Sequence, residues 1–227
     1  MIRMSNCALV AGLMCAAAPF AHGQLIISEI VDATLPGGNP KFVEITNTSG
    51  MDFMFTGGGI IVQSNANTDL DIDVDLNGIT ISAGQSFVIA SSQNDGQNVF
   101  ESTYGFAADL YSTAFFGNGD DRYILSDGMG LVDIFGAINI DGTGEAWEYT
   151  DSYAFRNADA ISGNGGVFDI VEWTLGGVDA LEVGGDDSLK TPLIQSLTTP
   201  GTHNFVPTPG TTALLALGGI AGFRRRR

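Results

Sequence analysis

Two glutamates stand at similar places in the first two apolar runs of the chain, Glu29 in LIISEIV and Glu44 in KFVEIT. If these runs are neighbouring strands, the carboxyls form a candidate pair. Acid–base hydrolysis needs two such groups at a set separation in a cleft, with one pKa raised so that it holds a proton near neutrality. The sequence shows neither a cleft nor a group to tune them, and glutamates on one face of a surface strand are commonplace. A second constellation is DVDLNG, residues 73–78. Asp73, Asp75 and Asn77 with Gly78 match the first half of a calcium loop, in which a hard cation takes oxygen ligands at alternate positions. Such a loop closes with a bidentate Glu at its twelfth position, and position 84 here is Gly. The same aspartates continue a strict alternation from Asp69, with Leu70, Ile72, Val74 and Leu76 between them. A strand with one acidic, wet face explains that pattern more simply.

In GNGDD, Asp120 and Asp121 sit where a turn enters a strand. Their carboxylates can accept from local backbone N–H groups, and Arg122 or Arg156 can neutralise one of them. Asp133, between Val132 and Ile134, faces away from both neighbours and needs a partner if it is buried. Trp147 and Trp173, within apolar runs, read as core or inter-sheet anchors rather than as ligand-stacking rings. A Ser-His-Asp triad would have to use His203, the only histidine beyond residue 23, and no G-x-S-x-G elbow is present. H-E-x-x-H, P-loop and dinucleotide fingerprints are also missing. This inventory points away from an enzyme and from a bound cofactor, with calcium as the one candidate.

The elements that must position these residues are strands. Helical periodicity is scarce between residues 24 and 205. Runs of β-branched and aromatic residues recur at 25–31, 41–46, 69–76, 86–91, 122–126, 131–136, 146–149, 152–155 and 167–173. Clusters of Gly, Asn, Asp and Ser separate them. With 31 glycines available for turns, an antiparallel sandwich or barrel is expected. A short helix is expected near residues 99–104. Residues 176–205 lose strand character and read as a final edge and linker.

Both ends read as processing signals. Residues 1–23 have a positive start at Arg3, an apolar stretch over 7–18, and small residues Ala21 and Gly23 before a cut at Gln24. Cys7 and Cys15 leave with that segment, so the body has no disulfide or thiol chemistry. Of nine Lys and Arg, five lie in the two ends. Lys41, Arg122, Arg156 and Lys190 remain against 26 carboxylates, a body charge of −22. Such a surface repels phosphate backbones, which makes nucleic acid a poor partner. At the other end, residues 206–227 read VPTPGTTALLALGGIAGFRRRR. Residues 211–223 would span about 20 Å as a helix, against a bilayer core of about 30 Å. The arginines after them favour a cytoplasmic end and transient membrane insertion.

Pro207, Pro209 and Gly210, the short apolar run, and Arg224, Arg225, Arg226 and Arg227 together resemble a PEP-CTERM sorting signal, with Thr208 where the usual motif has Glu. The resemblance implies recognition by an exosortase-type enzyme and delivery to the cell envelope, cell surface or exterior. The body, over residues 25–175, resembles the lamin-tail domain. LIISEI with FVEITN resembles its opening strands, and ISAGQSFVIAS its middle strand. NGDDRYILSDGMGLVDIFG carries the most specific likeness, and AWEYTDSYAFRN with Trp173 continues it. The fold so implied is an all-β, immunoglobulin-like antiparallel β-sandwich. The expected organisation is a signal peptide (1–23), a lamin-tail-like domain (24–175), an edge and linker (176–205) and a sorting signal (206–227). The expected function is a non-catalytic, exported interaction or structural module, with extracellular polysaccharide or other surface proteins as partners. The alternatives are a calcium-dependent adhesion module and an accessory domain related to secreted nucleases or hydrolases.

Overall fold

The structure, a computed structural model, describes residues 25–182 and 186–205. The expected signal peptide and sorting signal lie outside the described residues. In chain order the elements are β1 (Leu25–Leu35), β2 (Asn39–Asn47), β3 (Phe53–Met54), β4 (Gly59–Gln63), β5 (Val74–Asp75), β6 (Thr80–Ile81), β7 (Ser86–Ser91), α1 (Gly96–Tyr104), β8 (Leu110–Ser112), β9 (Arg122–Ser126), β10 (Leu131–Phe135), β11 (Tyr153–Arg156), β12 (Trp173–Leu175) and α2 (Asp187–Leu197). They form an all-β, immunoglobulin-like sandwich. One sheet has the order β12-β11-β1-β2-β7-β8, the facing sheet β10-β9-β4-β5, and β3 pairs with β6. Pairing is antiparallel throughout except between β7 and β8, which run parallel.

Alternation along β1, β2 and β7 sends side chains to two different cores. Ile27, Ile30, Val43, Ile45 and Ile89 face the second sheet and pack with Ile60, Tyr123, Leu125 and Phe135. Val31, Phe42, Val88 and Ala90 face the other way, against Phe100 of α1 and Ile194 of α2. The larger sheet is therefore buried on both faces, which is why LIISEIV and KFVEIT contain so few exposed positions. The rings of Phe100 and Tyr104 meet Phe42 edge-on, at 5.8 and 5.9 Å between centroids. Among the described residues no helix is long and apolar enough to cross a membrane.

Several expected elements differ. The alternating run at 69–76 supplies only the two residues of β5, and Leu70 and Ile72 are exposed. Residues 146–149 are not a strand. Glu148 accepts from Gly144 N (2.7 Å) and Thr150 Oγ1 (2.8 Å), closing a turn that inserts Trp147 and Tyr149 into the inter-sheet core. In the run 167–173 a single helical turn, Ile170–Glu172, precedes β12, and Asp169 caps it by accepting from Val171 N. The expected helix near 99–104 begins three residues earlier, at Gly96. Residues 176–205, read as edge and linker, carry α2 and a segment that packs against the domain, with Ile194, Thr198 and Pro200 buried.

Candidate functional site

Glu29 and Glu44 are brought together. β1 and β2 are antiparallel neighbours, and these two residues are directly opposite partners. Strict alternation would put Glu29 on the same face as Ile27, in the inter-sheet core. One extra residue, Ser28, is inserted in β1 between Ile27 and Glu29, and this bulge turns Glu29 to the outer face with Val31. Glu44 reaches the same face without a bulge, in step with Phe42. The bulge residue is itself used, because Ser28 Oγ donates to Glu44 Oε1 at 2.6 Å. Thr46 Oγ1 supports it, donating to Ser28 Oγ at 2.8 Å and lying 2.7 Å from Ser86 Oγ.

Both carboxyls are buried, 2% and 0% exposed. Their roof is the chain following α2. Thr199 N donates to Glu29 Oε1 and Oε2 at 3.0 and 3.2 Å, and Gly201 N donates to Glu44 Oε2 at 2.7 Å. Gly201 has φ +86°, a left-handed conformation that favours glycine and turns its N–H inward. Tyr104 Oη lies 2.8 Å from Thr198 Oγ1 and fastens the start of this strap to α1. Burial, then the charge of Glu44, push Glu29 up to about 8, and the Thr199 N–H only partly offsets them. Burial also raises Glu44, against the bonds from Ser28 and Gly201. The pair thus has one property of an acid–base site, a proton held near neutrality. It lacks the other, because its own chain closes over it.

The other expected site residues are placed as follows. Asp120 Oδ2 accepts from Thr143 Oγ1 at 2.8 Å. The Asp121 carboxyl is held by Ser64 and by the backbone of Asn65 and Asn118. Burial and the Asp120 charge raise it to about 6. Neither arginine neutralises these two aspartates. Arg122 Nε donates to Gln63 Oε1 (2.6 Å), Nη1 to Ala137 O (2.7 Å) and Nη2 to Asn67 O (2.9 Å). Arg156 is committed to Asp133 at 2.9 Å and Glu172 at 3.1 Å, with its guanidinium 4.8 Å over the Trp173 ring. Asp133 is 0% exposed and finds the partners its position demanded: Oδ2 accepts from Ile27 N (2.7 Å), and Oδ1 from Asn164 N (3.0 Å) and Arg156 Nη2 (2.9 Å). It thereby ties β10 to β1 across the sandwich. Trp147 and Trp173 both pack edge-on against Phe135 in the core.

Asp73 and Asp75 lie at and beside β5, where Asp73 Oδ2 accepts from Val62 N (2.7 Å) and Asp75 Oδ1 from Asn77 N (2.8 Å). The carboxylates of Asp73 and Asp75 are therefore drawn into backbone capping, with Asn77 contributing its N–H. Among the described residues no three His, Cys, Asp or Glu side chains gather to hold a metal. His203 follows the strap, and burial and the Arg156 charge lower its pKa. A surface pocket of about 450 Å³ lies elsewhere, at the β9–β10 turn, lined by Asp127, Met129, Leu131 and Gly163 among others. Asp127 Oδ1 is occupied there by Met129 N and Gly130 N, at 2.8 and 2.9 Å. The strap is the part of the site that sequence reasoning missed. Its only local signal was TTPG, a turn sequence whose glycine could have marked an inward N–H.

No curated protein matches the chain. A family model described as Lamin Tail Domain matches residues 18–139. That region takes in β1, β2, both glutamates of the pair, and β9 and β10 with Asp133. The match covers more than half of the 227 residues, and the sandwich described above is the immunoglobulin-like fold it calls for, so this chain belongs to the lamin tail domain family.

Proposed function

We propose that this chain is an exported, non-catalytic interaction and structural module of the cell envelope or extracellular matrix, delivered by an exosortase-type sorting system. The observation that carries the non-catalytic reading is what the buried carboxylates do. Glu29 and Glu44 accept from the strap, and Asp133 from β1, Arg156 and Asn164. Asp32 pairs with Lys41. Each of these buried carboxyls is held by donors of the chain itself, where it builds the fold. Family membership agrees with this role, since a lamin tail domain is an immunoglobulin-like module. The reading of export and sorting is supported by residues 1–23 and 206–227 as sequence. The body charge of −22 suits a soluble surface module and favours surface glycans or proteins over nucleic acid.

The test is expression of the full chain in a bacterium that carries an exosortase-type enzyme, followed by fractionation and mass measurement of the product. The expected product lacks residues 1–23 and the tail beyond residue 206, and lies outside the cytoplasmic membrane. Replacing Arg224, Arg225, Arg226 and Arg227 by Gln should leave an unsorted form with an intact tail. A full-length chain retained in the cytoplasm would overturn the proposal.

A further inference from the structure

Residues 198–202 rest on two acids that, among the described residues, no cation attends. Among the described residues the four cationic side chains are all engaged elsewhere. Lys41 is with Asp32 and Lys190 with Glu182, while Arg122 is on Gln63 and carbonyls and Arg156 on Asp133. The groups that face Glu29 and Glu44 are each other, across β1 and β2, and the phenol of Tyr104 from α1, which burial keeps neutral. The hydroxyls of Ser28, Thr46, Ser86 and Thr199 and the strap's amides complete the surroundings. Within residues 198–205 the ionisable side chain is His203, and the charge acting on it is that of Arg156.

We propose that Glu29 and Glu44 form a proton-holding latch, which fastens residues 198–202 to the outer face of the larger sheet while the pair keeps one proton and frees them when it is lost. With one proton the pair carries a single charge, and Ser28 Oγ and Gly201 N are placed to receive it on Glu44. Without that proton two carboxylates oppose each other on adjacent strands, where desolvation and mutual repulsion both act. Glu29 is served by the strap alone, the Thr199 amide reaching both of its oxygens and the Thr199 hydroxyl adding a hydrogen bond, so its donors leave when the strap lifts. The strap amides lie directly on both carboxyls, so lifting the strap admits water to the pair. An opened strap returns Glu29 toward the ordinary carboxylate value of about 4.5, and no lower, since Glu44 still faces it. By linkage, each pH unit between that value and about 8 then shifts the closed–open balance up to tenfold toward the open form, and the shift levels off above it. The latch decides whether residues 198–205 belong to the domain or extend the chain beyond it. It does not depend on how the chain is sorted.

The experiment is hydrogen exchange of the strap amides in the full chain, corrected for intrinsic rates, between pH 5.5 and 8.5. Protection of Thr199 and Gly201 should fall up to tenfold per pH unit and then level off, while amides in the middle of β2 change far less. Glu29→Gln, which copies the protonated shape, should keep the strap protected and flatten the profile. Glu44→Gln removes the opposing charge and should move the midpoint to lower pH. Equal protection at both ends of the range in the wild type would overturn the latch. So would a full slope surviving in Glu29→Gln, or a midpoint untouched by Glu44→Gln.

Discussion

Asp133 receives hydrogen bonds from three separate segments, Ile27 of β1, Arg156 of β11, and Asn164 of the loop between β11 and β12. It faces the guanidinium of a side chain that is itself 0% exposed. Breaking a buried ion pair from one side leaves an uncompensated charge, a loss of about 3–5 kcal/mol. Asp133→Asn keeps the shape, and Glu172 lies 3.1 Å from the same Arg156 nitrogen to share its charge. The expected loss is therefore about 3 kcal/mol, read from urea unfolding at pH 7. A loss under about 1 kcal/mol would mean that the guanidinium is carried by Glu172 and the Trp173 ring. That Asp133 needed a partner was legible, because a carboxylate buried in an apolar run is costly alone, but its expected orientation held only against Ile134: the bulge between Leu131 and Asp133 leaves Val132 on the inter-sheet side with it. Which partner was not legible. Ile27 is 106 residues away and Arg156 23, and only the sheet topology makes them neighbours. The glutamate pair has the same history: two similar runs suggested adjacency, but the bulge at Ser28 that aims Glu29 outward leaves no mark in a composition pattern.

At the scale of elements, sequence pattern located most of the long strands, the edge strand β10 among them, but passed over β4, which pairs with both β9 and β5. β1, β2, β7, β9 and β10 fall where β-branched runs were seen. The stretch 69–76 had the cleanest alternation in the chain and yields two strand residues, because β5 pairs only with Gly59 and Ile60 at the edge of the smaller sheet. Periodicity reports that a segment could present one apolar face, not that a sheet face is available to receive it. α2 was hidden for a different reason. Pro192 lies inside it, and its start depends on Asp186 accepting from Ser188 N at 3.0 Å, a cap that reads equally well as a loop. The edge position of β5 also bears on calcium. Asp73 and Asp75 already accept from Val62 N and Asn77 N, bonds that a cation would have to compete with. Millimolar calcium should therefore shift the thermal midpoint of the domain no further than sodium chloride of equal ionic strength does. A rise of many degrees, reversed by chelator, would instead make these aspartates and Asn77 ligands and favour the adhesion reading.

Across the whole molecule the buried acids push stability in one direction. Burial raises Glu29 to about 8 and Asp121 to about 6, and it raises Glu44, Asp32 and Asp133 as well. A carboxyl whose pKa is higher folded than unfolded binds its proton more tightly in the native state. Its contribution is therefore full below the unfolded value and is lost as pH rises through the folded one. For Glu29 the window runs from about 4.5 to about 8, and for Asp121 from about 4 to about 6. Asp141 and Asp186 are lowered, by bonds within exposed turns, and oppose this only weakly. The repulsion within a body of charge −22 adds to the same trend. Stability should thus be greatest near pH 5 and fall on the order of 2–5 kcal/mol by pH 8.5, since each pKa unit corresponds to about 1.4 kcal/mol. Most domains, with carboxylates paired to cations, lose stability toward acid instead. Urea midpoints at pH 5.5, 7 and 8.5 measure the slope, and repeating them in high salt divides it by cause. Salt screens repulsion among exposed carboxylates but barely reaches a pair roofed by its own strap, so the part of the slope that survives belongs to the buried acids. That remainder should shrink in Glu29→Gln. A midpoint that climbs with pH would place the balance of this fold in its ion pairs rather than in its buried protons.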